Sequence, residues 1–149
     1  MENHLEADFM HHMSLEEIEE FLLPPRHAVM GTNRVDDAPQ LSTVWYLYEG
    51  GRFYVSAGVE TAKVRNLRRD PRVSMCIDGC YPDFRTVVAY GTAKLLSMDA
   101  PLAANIRWRI IRHYHESEES ARLYEESTRH PPSKLIVITP QRIIGQDYN

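Results

Sequence analysis

Two β-rich runs separated by a glycine pair restrict this chain more than any other feature of its sequence. Residues 40–48 (QLSTVWYLY) and 52–57 (RFYVSA) are dense in β-branched and aromatic side chains, which suit pleated strands. Glu49-Gly50-Gly51 between them leaves room only for a hairpin, and the glycines supply the positive φ that such turns use. Further strands are expected at 27–32 (HAVMGT), 72–78 (RVSMCID), 86–96 (TVVAYGTAKLL), 134–139 (KLIVIT) and 142–145. Residues 33–39 and 79–84 read as loops, and Gly91 marks a bulge or a close backbone approach.

Helical signals are fewer. Ser14 and Glu17 form a capping-box pair that opens a helix over 15–23, with Leu15, Ile18 and Leu22 on one face, and Pro24-Pro25 ends it. A second helix covers 61–69 (TAKVRNLRR) and stops at Asp70-Pro71. The longest is expected over 99–116, where Leu102, Ile106 and Ile110 recur at i+4 and are joined by Ala103, Trp108, Ile111 and Tyr114. A more polar helix follows over 118–127, before Pro131-Pro132. The helices are not interleaved one per strand, which excludes a doubly wound parallel sheet. The expectation is an α+β chain, mainly β: a six-stranded antiparallel barrel with outer helices.

At 149 residues the chain has the length of one domain, with residues 1–13 as a loose lead-in and 99–127 as a helical insertion. Its 43% hydrophobic and 26% charged composition is that of a globular protein. No apolar run approaches the ~20 residues of a membrane span, and no signal-peptide core is present, so a cytoplasmic protein without membrane contact is expected. Cys76 and Cys80 then read as reduced thiols, with Cys76 buried on its strand. A net charge of −4 argues against a nucleic-acid partner.

Residues 56–73 (SAGVETAKVRNLRRDPRV) carry the chemistry. A strand ends at Ala57, a glycine turn follows, and a helix begins at Thr61. Lys63 in its first turn opposes the positive end of the helix dipole, a conflict that a phosphate would resolve through free N–H groups, the Thr61 hydroxyl and the Lys63 ammonium. Arg65, Arg68, Arg69 and Arg72 add to the local positive field. The competing reading is a solvated basic helix face.

The run from Gln40 to Asp78, followed by VVAYGTAKLL, resembles the pyridoxamine-phosphate-oxidase-like, FMN-binding split-barrel family. AKVRNLRRDPR (62–72) and PQLSTVW (39–45) are similar to its deazaflavin-dependent, coenzyme F-420 branch. The resemblance implies a six-stranded split β-barrel that forms a homodimer and holds its cofactor at the subunit interface. It implies that the ring lies along the strand carrying Gln40, Ser42 and Val44. The phosphate would be held near Ser56, Ala57, Thr61 and Lys63, with Asn66 matching the motif asparagine. Many relatives carry arginine where this chain has Thr61, a departure at the phosphate site. The implied activity is hydride transfer from reduced coenzyme F-420, or alternatively FMN, to a small conjugated or aromatic acceptor. A non-catalytic flavin, haem or tetrapyrrole binder, and a partner-binding module without cofactor, are the competing classes.

No obligatory acid or base stands out; Tyr46 or water would deliver a proton. Trp45 and Tyr46 are candidates to wall a flat ligand. Tyr81, Asp83, Phe84 and Arg85 form a loop whose arginine would suit a phosphate or an acidic cofactor tail. His4, His11 and His12 are the one histidine group near the N-terminus, and no metal site is expected. His113 and His115, two apart on a helix, should face different ways.

Overall fold

The computed structural model describes residues 10–149. Eight strands and four helices are present among them: β1 His11–His12, α1 Leu15–Leu22, β2 His27–Thr32, β3 Gln40–Val44, β4 Leu47–Glu49, β5 Arg52–Gly58, α2 Ala62–Arg69, β6 Arg72–Asp78, β7 Arg85–Ser97, α3 Pro101–His113, α4 Glu118–Ser127 and β8 Ser133–Asp147. All pairings are antiparallel, and the hydrogen-bonded path runs β3-β2-β6-β7-β8-β5-β4, with β1 on β8. Its two end strands, β3 and β4, are consecutive in the chain and joined only by Trp45-Tyr46. Three peptide steps span at most about 11 Å, so the sheet must curl until its edges nearly meet. No ladder seals that seam, and the result is a split antiparallel β-barrel with helices outside.

The strand count differs from six for identifiable reasons. The expected 40–48 strand breaks at Trp45-Tyr46, where the chain turns across the seam. The expected pair 134–139 and 142–145 is one long strand, because a bulge opposite Tyr90/Gly91 absorbs the irregularity at Pro140.

Alternation fixes the two faces of the sheet. Phe53 and Val55, Met75 and Ile77, and Ile136 and Ile138 point into the barrel, with Ile18, Phe21 and Leu22 of α1 and Val64 and Leu67 of α2. Leu135, Tyr54 and Val137 point outward and meet Ala103, Ile106 and Ile110 of α3 in a second core. The run KLIVI is apolar on both faces because both faces are covered. The same alternation corrects Cys76, which is exposed on the outer face of β6 between buried neighbours Met75 and Ile77. Leu15 and Leu102 are also exposed, and Phe21 and Ala103 take the places expected of them.

The α1 capping box is present: the Glu17 N–H donates to Ser14 Oγ at 3.2 Å and the Ser14 N–H to Glu17 Oε1 at 3.1 Å. Beyond α1, Arg26 and Arg85 stack on the Phe21 ring, 4.0 and 4.9 Å from its centroid. Asp83 joins them, accepting from Arg85 Nη2 at 2.7 Å and lying 3.7 Å from Arg26. Arg85 is therefore engaged within its own loop. These bonds hold the Asp83 carboxyl well below the usual carboxylate range. A depressed folded value contributes stability above the unfolded pKa of about 3.9, and that contribution is lost as pH falls toward the folded value. Asp83→Asn is expected to cost about 1–2 kcal/mol at neutral pH. The mutant should also lose less stability than wild type between pH 7 and pH 3, as read by urea denaturation. Parallel acid profiles would refute this role.

Candidate functional site

A cleft of about 1170 Å³ opens beside the barrel seam. Four elements build it: the end of β3 with Thr43, Val44 and Trp45; the end of β5 with Ser56, Ala57 and Gly58; Lys63 of α2; and the outer helices with Tyr114, His115 and Tyr124.

The phosphate end is set by the turn from β5 into α2. Thr61 Oγ1 donates to the Gly58 carbonyl at 2.8 Å, and the Thr61 N–H reaches the same oxygen at 3.1 Å. The hydroxyl is thus spent on closing the turn. It supplies no cap to α2, and the first turn of α2 contains no acidic residue. Lys63 in that turn is half-buried and has no hydrogen-bond or ion-pair partner among the described residues. Burial pushes its ammonium below the usual lysine value. Uncapped N–H groups, the positive helix end and a desolvated ammonium converge, and an anion relieves all three at once.

The structure separates the expected site residues. Ser56, Ala57, Lys63 and Val44 line the cleft; Gln40, Ser42, Thr61 and Asn66 do not. Gln40 accepts from Thr32 Oγ1 at 3.3 Å, and Asn66 Nδ2 donates to the same Thr32 oxygen at 3.1 Å, forming a polar chain that ties α2 to β2 and β3. Ser42 Oγ is buried and unpaired. Gln40, Ser42 and Val44 share a face, as alternation requires, but only Val44, at the strand end, reaches the opening.

Tyr46 is corrected as a proton source. It is 1% exposed, its hydroxyl donates to the Leu22 carbonyl at 3.1 Å, and burial raises its pKa far above the usual phenol value. Trp45 stays at the cleft, 36% exposed. Its ring stacks on Tyr114 at 5.1 Å and 10°, and Tyr124 and His115 lie 5.0 and 5.5 Å away. Tyr114 Oη donates to the Arg26 carbonyl at 3.0 Å and accepts from the Tyr46 N–H at 3.3 Å, latching the end of α3 to the seam.

His113 and His115 both line the cleft, contrary to helical spacing, because α3 ends at His113 and the chain turns through Tyr114. Tyr114, His115 and Tyr124 escaped the sequence reading; their one signal was aromatic density at a helix end. Expected α3 positions 114–116 lie outside the helix, which starts at Pro101 rather than 99. Among the described residues no cluster of His, Cys, Asp and Glu is arranged to hold a metal, and His4 lies outside them. No helix among them is long and apolar enough to cross a membrane.

Solved structures share this architecture. A conserved hypothetical protein of Mycobacterium tuberculosis is 25% identical with a TM-score of 0.76, over 92% of this chain and 86% of that one. A FAD-binding protein of Mesorhizobium loti is 18% identical, TM-score 0.70, over 93% and 96%. An F-420 reductase is 19% identical, TM-score 0.64, over 84% and 94%. The latter two likenesses are of fold. The model of the pyridoxamine 5'-phosphate oxidase family matches residues 14–147, nearly the whole barrel with its outer helices. The chain belongs to the pyridoxamine 5'-phosphate oxidase family, a flavin-binding family.

Proposed function

We propose that the protein is an oxidoreductase that uses coenzyme F-420, passing a hydride to a small conjugated or aromatic acceptor. The observation that carries this reading is Lys63: a half-buried, unpartnered ammonium at the uncapped start of α2, opening on a cleft walled by Trp45. Those groups fit a phosphate-bearing cofactor. Lys63, Ser56 and the first-turn N–H groups would hold the phosphate; Thr43, Val44, Ala57 and Trp45 would border the ring. Thr61, whose hydroxyl closes the turn, would act by shaping that site, and Gln40, Ser42 and Asn66 by holding β3 and α2 in place. When bound, the reduced deazaflavin ring supplies the hydride. The protein's residues bind it, orient it and exclude water.

Support for F-420 over FMN comes from the run AKVRNLRRDPR and from the F-420 reductase among the similar folds. The outer face of the sheet supports a homodimer. Leu41 and Tyr90 are 68% and 47% exposed there, on the strands β3 and β7 that flank β2 and β6. Sedimentation velocity reads that mass directly. The deciding experiment is a parallel fluorescence-quench titration of the protein with coenzyme F-420 and with FMN. Tight binding of F-420 alone is expected. Binding of FMN alone would make it a flavin enzyme, and binding of neither would return α2 to a solvated basic face.

A further inference from the structure

We propose that the outer helices supply the acceptor site of the cleft, and that His115 Nε2 is the proton donor to a planar acceptor bearing a conjugated carbonyl. This rests on the oxidoreductase reading above and assigns its second substrate.

The geometry begins at α3. His115 Nδ1 lies 2.7 Å from the Ile111 carbonyl, which only accepts, so Nδ1 carries a hydrogen there. Nε2 is then the free nitrogen, and no partner meets it among the described residues. The ring is half-buried and held on two sides, at 5.5 Å from Trp45 edge-on and 5.0 Å from Tyr124. Trp45 is itself fixed by its stack on the latched Tyr114. A flat apolar wall and one aimed, unspent imidazole nitrogen therefore adjoin in the cleft that also holds Ser56 and Lys63.

The other polar groups are less suited. Arg26 and Arg107 line the cleft but pair with Asp83 and Glu125. Tyr46 is sealed inside the barrel. Around His115 the charged and titratable groups are Arg112 and Glu116 beside it in the chain, His113 at the end of α3, Tyr124 on α4, and Lys63 and His130 in the same cleft. Imidazole changes charge in the neutral range, which suits a group that both gives and regains a proton.

The step balances as a two-electron reduction. The hydride from the reduced coenzyme forms a C–H bond at the β carbon of the acceptor. The alkene π pair shifts and the carbonyl pair moves onto oxygen. The Nε2–H bond breaks as the O–H bond forms, and the neutral imidazole regains its proton from water.

The test uses nitrogen-15 histidine-labelled protein and 2-cyclohexen-1-one as the probe. The Nε2 resonance of His115 is expected to move toward that of a protonated nitrogen as the probe is added, in the protein alone and with cofactor. His115→Asn, whose amide keeps a donor for the Ile111 carbonyl, should lose that signal yet bind cofactor as wild type does. Lys63→Ala should lose cofactor affinity and keep the His115 response, so the two readings fail separately. A response confined to another histidine, or none up to the solubility of the probe, would overturn the proposal. So would loss of cofactor binding in folded His115→Asn.

Discussion

Lys63→Ala is expected to weaken cofactor binding by roughly 1–3 kcal/mol, or roughly 5- to 150-fold in Kd, the scale of charge-assisted hydrogen bonds to one group. The free protein should not suffer. Lys63 has no partner to lose, and its burial already disfavours the charged form. Its removal therefore takes away a desolvated charge at the wrong end of a helix, and the melting temperature should hold or rise. Lys63→Arg should keep much of the affinity, because charge is retained. Arg68→Ala, on the exposed face of the same helix, should change little. The pattern distinguishes an anion site from a basic surface, where Arg68 would matter as much as Lys63.

The sign of the pH effect follows from the same burial. The folded state holds the Lys63 proton less firmly than the unfolded chain does. Stability of the free protein from this group thus rises with pH, from the lowered folded value up to the unfolded value of about 10.4. Anion affinity runs the other way, falling as the ammonium is lost. Fluorescence titration at increasing alkaline pH should show wild-type affinity declining toward that of Lys63→Ala. Affinity that stays flat in wild type would remove Lys63 from the site.

How much of this was legible in the sequence depended on whether the signal was local. The α1 capping box and the Gly50-Gly51 hairpin were readable because each is decided within a few residues; Gly50 and Gly51 have φ of 59° and 75°. The strand–glycine–helix run around Lys63 was readable for the same reason. What failed depended on partners distant in the chain. Cys76 looks like core until β6 is seen to bury Met75 and Ile77 on the opposite side. Gln40 and Asn66 look like ligand-binding residues until Thr32 is found between them, 8 and 34 positions away. The cleft wall formed by Tyr114, His115 and Tyr124 depends on α3 docking against the outward face of β5 and β8, which no local pattern encodes.

Gly91→Ala is expected to cost about 3 kcal/mol, at the upper end of overpacking effects, and to lower Tm by roughly 6–12 °C for a chain of this size. A Cβ at Gly91 would stand 2.1 Å from the Thr139 carbonyl oxygen, 2.8 Å from its carbon and 2.9 Å from Pro140 Cα. All three are backbone atoms of the opposing strand, so no side chain can rotate away. The site is the bulge of the β7–β8 ladder, where Tyr90 pairs with Arg142 but Gly91 with Pro140. Pro140 has no N–H to give, so the ladder already lacks a bond there, and the strands approach closely instead. Relief would require the two longest strands to separate, and β8 also pairs with β5, whose end forms the cleft at Ser56 and Ala57. Gly50→Ala is the control: it has open space and positive φ only, and should cost about 1 kcal/mol. Urea denaturation of the three proteins separates the terms. Equal losses at Gly50 and Gly91 would mean that the strands part without strain, and a barrel that lax could not hold Ser56 and Lys63 at fixed positions.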